Sequence, residues 1–127
     1  MELGPIQKKW LKALKKYPER QRKFALGVKS KRGAFSLCCL GQLGLIAGHM
    51  DWEDNALVCN VNKDQKGGYE NYEDIGLKSS LGDFNDKVII KHMRFASLSL
   101  MNDGGMKWPE IAKFVEENPE MVFTKSV

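Results

Sequence analysis

The sequence predicts a small single-domain α+β protein. Three observations lead there. Apolar residues recur at helical spacing near both ends of the chain, and short apolar runs bounded by turn-forming residues lie between them. The length of 127 residues admits one core rather than two, and a hydrophobic fraction of 43% is enough to fill it. The domain is expected to span 1–127, with 1–33 as a basic helix and first strand region and 49–80 as an irregular excursion.

Each element has a local reason. Pro5 suits the first turn of a helix, and Ile6, Trp10, Leu14 and Tyr17, with Leu11 beside them, then share one face. Lys8, Lys9, Lys12, Lys15 and Lys16 take the other directions, and Tyr17-Pro18 ends the helix. RKFALGV and AFSL flank the turn-forming KSKRG and predict a hairpin. CCLGQLGLIAG, apolar all round except at Gln42, predicts a buried central helix terminated by Gly48. Gly41 and Gly44 lower helix propensity by about 1 kcal/mol each, which implies another element packed closely against them.

Within 49–80, ALVCNV predicts a strand, and NKDQKGG and ENYEDIG predict loop or turn, which leaves either a second hairpin or an excursion carrying a contact surface. From 83 to 100 the positions of Val88, Ile89, Phe95, Ala96, Leu98 and Leu100, in so long a segment, predict a helix. NDGG breaks it. Pro109 starts a last helix with Ile111, Ala112, Phe114 and Val115 inward, and Asn118-Pro119 ends it. The tail MVFT is expected as an edge strand or a frayed end.

Charge gives the first functional direction. Residues 1–33 hold eleven Lys and Arg against Glu2 and Glu19, whereas the remainder holds nine against fourteen acidic residues. A basic face built from Lys8, Lys12, Lys15, Arg20, Arg22, Lys23, Lys29, Lys31 and Arg32 would attract an anionic partner, either an acidic protein, a nucleotide or nucleic acid. A solvated surface helix is the bland alternative. Aromatics able to stack on bases are few beside these cations: Trp10 and Tyr17 read as core, which leaves Phe24 and Phe35. Nonspecific nucleic-acid binding therefore ranks second.

Catalysis has weaker footing. Cys38 or Cys39, at a helix start, has the position of an activated thiol, with His49 and His92 as conceivable bases. No cysteine-nucleophile signature surrounds the pair, and buried cysteine behaves as a small hydrophobe, so both are expected in the core. Adjacent cysteines chelate one ion poorly, and with Cys59, His49 and His92 they lack zinc-knuckle spacing, so no metal is expected. P-loop, GxGxxG, GxSxG and HExxH patterns are absent, and no cofactor is expected. Glu116-Glu117 and Glu73-Asp74 read as solvating charges. WPEIAKFVEE looks like the first helix of a helix-turn-helix, but Pro119 and a short tail with one basic side chain, Lys125, leave no recognition helix. No apolar stretch reaches the about eighteen residues of a membrane span, no signal peptide opens the chain, and three cysteines make a poor disulfide framework, so a reducing cytoplasm is expected.

CCLG opening a buried helix, MNDGGMKWPEIAKFVEEN about sixty residues on, and WLKAL with Trp10, Ala13 and Leu14 together resemble a family of small phage-encoded proteins of unassigned role. The sequence departs from that pattern at Gln42 and at Gly44, where the family often has a third cysteine. The resemblance marks Cys38, Cys39, Leu40, Gly41, Asn102, Asp103, Ile111 and Ala112 as scaffold positions, with Asn102 and Asp103 bonding the backbone of their own turn. It implies a bacterial host cytoplasm and a role in host takeover or counter-defence. The expectation is a non-catalytic binder of a host protein or nucleotide. Nonspecific nucleic-acid binding is the alternative, and a cysteine-dependent enzyme comes third.

Overall fold

The computed structural model describes residues 1–59 and 69–127. The NKDQKGG turn and the last two residues of ALVCNV lie outside the described residues. Helix α1 (Pro5–Lys16) has Pro5 in its first turn and buries Trp10, Leu11 and Leu14 while its lysines face solvent. Its third residue, Gln7, is fully buried and uses both ends of its amide. Oε1 accepts from Gly4 N (3.0 Å) and Val127 N (3.1 Å), and Nε2 donates to Lys125 O (2.8 Å) and Ile75 O (3.3 Å). The two chain ends are thereby stitched together.

A 3₁₀ turn (Pro18–Arg20) leads to the predicted hairpin, β1 (Gly27–Lys29) against β2 (Phe35–Leu37), antiparallel with Gly27 opposite Leu37 and Lys29 opposite Phe35. Helix α2 (Cys39–Ala47) follows and ends at Gly48, whose φ of 77° is the left-handed conformation glycine adopts without strain. Cys38 caps it, its sulfur accepting from Gly41 N at 3.3 Å, a place Ser or Asp usually fills. The close packing implied by the helix glycines is present. A Cβ on Gly41 would run into the Leu26 carbonyl, and one on Gly44 would meet Met50 and the Tyr72 hydroxyl.

Of the two alternatives for the excursion, its first part takes the hairpin. Strands β3 (Met50–Glu53) and β4 (Ala56–Cys59) form a second hairpin about Asp54-Asn55, and β4 joins β1 to make a four-stranded antiparallel sheet ordered β2-β1-β4-β3. The helix expected over 83–100 is mostly strand. Strand β5 (Asp83–Ile90) pairs with β6 (Met93–Ser97), and only α3 (Leu98–Asp103) is helical. The physical reason is period two. Val88 lies half-buried opposite buried Phe95, whereas Ile89, 65% exposed, lies opposite exposed Arg94. The segment is long because it contains two strands, joined by Lys91 and His92 at φ 50° and 67° without the Asn-Gly that normally announces such a turn.

Helix α4 (Trp108–Glu117) carries Pro109 in its first turn and buries Ile111, Ala112, Phe114 and Val115. The tail is neither strand nor frayed. Pro119–Val122 forms a helical turn, α5, and Phe123 is buried edge-on to Trp10 with ring centroids 5.9 Å apart. No helix among the described residues is long and apolar enough to cross a membrane.

Asn102 and Asp103 do something other than bond their own turn. Asn102 is fully buried at the centre of a four-way junction. Its Oδ1 accepts from Cys39 N (3.1 Å), Trp108 Nε1 (3.1 Å) and Gln21 Nε2 (3.3 Å), and its Nδ2 donates to Arg22 O (2.6 Å). Asp103 Oδ1 accepts from Phe24 N at 2.8 Å. Burial draws the Asn102 side chain toward remote partners, because unpaired amides inside the core are costly, whereas Asp103 is half-buried and its bond to Phe24 lies at the surface. Asn102→Ala orphans the Cys39 amide and the Trp108 indole N–H. We expect it to lower stability by about 3 kcal/mol or more, a fall on the order of 10 °C in melting midpoint by circular dichroism. An unchanged midpoint would remove Asn102 from the structural core.

Candidate functional site

The nine basic residues do not form one arm. Lys8, Lys12 and Lys15 stand on the exposed side of α1, where Lys15 pairs with Glu116 of α4 and Lys8 approaches Glu2 at 3.9 Å. Arg20, Arg22, Lys23, Lys29, Lys31 and Arg32 belong to the 3₁₀ turn, the segment after it and the β1–β2 hairpin. Among the described residues none of these six is ion-paired. Lys31 and Arg32 occupy the hairpin tip, closed by Gly33 at φ 85°.

Aromatic rings are interleaved with this second group. The Arg20 guanidinium lies 3.8 Å from the ring centroid of Tyr17 and 4.6 Å from that of Phe35. Phe35 meets Trp52 at 5.7 Å, Lys29 Nζ lies 5.9 Å from the Trp52 ring, and Lys16 Nζ lies 5.4 Å from Tyr17. Lys16, Tyr17, Arg20, Phe35, Trp52 and Lys29 thus form one strip of interleaved charges and rings, with Phe35 and Trp52 in direct contact. Trp52 reaches it by crossing the sheet face from β3. Its Cη2 lies 3.1 Å from where a Cβ on Gly27 would be, so the missing side chain makes the crossing possible. Tyr17, Phe35, Trp52, Arg20 and Lys29 are all half-buried, held in place yet reachable from solvent. Each ring–cation contact contributes about 0.5–1 kcal/mol at such sites and fixes the direction of the charge.

The aromatics near the cations are therefore more numerous than the sequence led us to expect. Trp52 was missed because its contacts lie across the sheet. The signal available was the pair MDWE and ALVC about Asp54-Asn55, which as a hairpin places Trp52 inward opposite Leu57.

A cavity of about 610 Å³ opens between the start of α2, the β3–β4 hairpin and the residues flanking β5 and β6. Cys38, His49 and Cys59 line it, with Tyr72 behind. Cys39 does not; it is fully buried, its sulfur 3.7 Å from Leu98 O. Burial pushes the Cys38 thiol up and the Cys39 thiol well up, which favours the protonated, unreactive form. Desolvation also raises the Tyr72 phenol, whose O–H donates to Leu40 O at 2.6 Å. His49 approaches Cys59 rather than the paired cysteines: its ring nitrogens lie 3.7 and 3.8 Å from that sulfur, so neither is aimed at it. His92 sits in the exposed β5–β6 turn. Among the described residues no three His, Cys, Asp or Glu side chains gather as a metal site would require. Glu116 and Glu117 are exposed on α4. Leu40 and Gly41 lie in the buried first turn of α2, and Ile111 and Ala112 are fully buried.

No family model matches the chain, and neither a curated protein nor a solved structure matches it.

Two outcomes follow from the thiols. A thiol reagent at neutral pH should label exposed Cys59 first, Cys38 slowly through the cavity it lines, and Cys39 only on unfolding; fast labelling of Cys38 would mark it as activated. Since the folded thiol values are raised, the stability tied to them is complete below the ordinary value of 9.0. It declines as pH rises beyond that, where the unfolded chain ionises first. Cys38→Ser, which can keep the cap, should melt with a shallower decline between pH 8 and 10.5 than the parent.

Proposed function

We propose that this chain is a non-catalytic binding protein for a nucleotide or single-stranded nucleic acid, taken up on the Tyr17–Arg20–Phe35–Trp52–Lys29 strip. The observation that carries this reading is the interleaving itself, half-buried rings flanked by Arg20 and Lys29, which have no carboxylate partner among the described residues. Bases of any kind have a face to stack on an aromatic ring, worth about 1–3 kcal/mol each, and phosphates seek fixed cations. Arg20, clamped between two rings, loses little freedom on meeting a phosphate. Lys31 and Arg32 at the hairpin tip extend the positive field along the strand's path. The raised thiols of Cys38 and Cys39 support binding over cysteine chemistry.

The resemblance to small phage-encoded proteins supplies the biological setting. A binder of this kind would act by withholding a host nucleotide or nucleic acid, in takeover or counter-defence in the bacterial cytoplasm. An acidic host protein would use the same cations and make no use of the rings.

Fluorescence anisotropy with a labelled oligothymidylate separates these readings. Affinity should fall with salt by about 0.7 log unit per log unit of salt for each phosphate neutralised. Trp52→Ala should weaken binding about tenfold at constant salt slope, and Lys29→Ala should reduce the slope by about 0.7. Equal affinity for duplex DNA of the same length, or a Trp52→Ala protein that binds like the parent, would discard stacking. A partner captured from nuclease-treated host lysate by Arg20 and Lys29 but indifferent to Trp52→Ala would favour the acidic protein.

A further inference from the structure

The cavity beside α2 belongs to no part of the strip, and its chemistry is of the opposite sign. We infer that it is a binding site for a small aromatic molecule carrying an amine or amidine donor, neutral or cationic but not anionic. Its volume of about 610 Å³ falls in the range that holds small organic ligands. The walls are mainly apolar, with Leu26, Leu40, Met50 and Leu81 among them, and Tyr72 adds an aromatic surface. Phe24 stands at the rim, 81% exposed and at φ 62°, a conformation a bulky residue seldom adopts. Its backbone N–H is held there by Asp103.

Two polar side chains on the lining set the ligand's character. His49 is 6% exposed, yet among the described residues the Cys59 sulfur is the sole partner of either ring nitrogen, and neither nitrogen points at it. Buried polar groups in folded proteins are nearly always hydrogen-bonded, so this ring has capacity that a bound molecule would use. Asp103 lines the same cavity. One carboxylate oxygen accepts from Phe24 N, and among the described residues the other has no hydrogen-bond partner and no Lys or Arg lines the space. A carboxylate accepts and cannot donate, so it selects a donor and repels an anion.

The probe is 4-aminobenzamidine, aromatic and amidinium-bearing, whose fluorescence rises in apolar surroundings, with anilinonaphthalene sulfonate as the anionic counterpart. The parent protein should give a saturable signal with the first and bind the second at least tenfold more weakly. Asp103→Asn, which retains an acceptor for Phe24 N, should weaken 4-aminobenzamidine at least tenfold with an unchanged melting midpoint. His49→Phe should weaken it by a smaller factor, and Ala25→Phe, which fills the cavity from its lining, should abolish it. Should Ala25→Phe fail to fold, the Asp103 and His49 variants decide the matter. Absence of a saturable signal, equal binding of the sulfonate, or a signal indifferent to both Asp103→Asn and His49→Phe would each overturn the assignment. None of these readouts depends on the oligonucleotide experiment, so the two sites stand or fall separately.

Discussion

The buried carboxamide of Asn102 is the contact through which four stretches of this chain meet. It sits on α3, accepts from the first amide of α2 and from the indole of Trp108 at the start of α4, and donates to the backbone at Arg22. Gln21 closes the junction by accepting from Trp108 N (2.9 Å) and donating to Met106 O (2.6 Å). No amide in this cluster could be left open cheaply, since each unpaired buried group costs about 1–3 kcal/mol. A side chain with one acceptor and one donor on the same short stem meets all of these geometric demands. Aspartate would lack the donor and bring a buried charge, and leucine would lack both polar ends.

Both candidate sites inherit their geometry from that junction. It pins the backbone at Gln21 and Arg22, and the Arg22 amide donates to Leu37 O alongside β2. On one side of this anchor Arg20 is brought between Tyr17 and Phe35; on the other, Asp103 holds Phe24 at the cavity mouth. A basic segment that reads in the sequence as a single stretch is thus divided by its own anchoring. One portion runs along α1 and meets acidic side chains, and the other surrounds the sheet hairpin with its charges unpaired among the described residues. The second clamp, Gln7 with the chain's last residues, fixes α1 and so places Tyr17 at the strip's end.

The cysteines illustrate how one motif can be structural at both of its positions. Cys38 supplies its sulfur as the helix cap, and Cys39 supplies its amide to Asn102 and its carbonyl to the Trp10 indole at 2.8 Å. Both side chains lie where ionisation is disfavoured. Gly41 completes the motif by letting the Leu26 carbonyl approach the helix. CCLG is therefore the place where the helix start, the sheet and the junction converge, and its residue types follow from packing and hydrogen bonding.

Residue patterning alone was enough for the α+β class, the amphipathic helix from Pro5, the hairpin around KSKRG, the buried helix ending at Gly48 and the final helix from Pro109. Each of these rests on interactions within about four residues, or on a hydrophobic period that a single element displays. Where it misled, the deciding contact was remote. The segment from Asp83 became two strands because Val88 found Phe95 through a turn that Lys91 and His92 do not announce. Asn102 turned from its own loop toward the distant Cys39 amide and Arg22 carbonyl, because burial makes a distant unsatisfied group more costly than a local one left to water, and half-buried Asp103 took the Phe24 amide at the surface. The site residues divide the same way. The cations were countable in the sequence, but which rings stand between them, and which carboxylate faces the cavity, were decided only when the chain closed and a fixed set of polar groups had to find partners inside it.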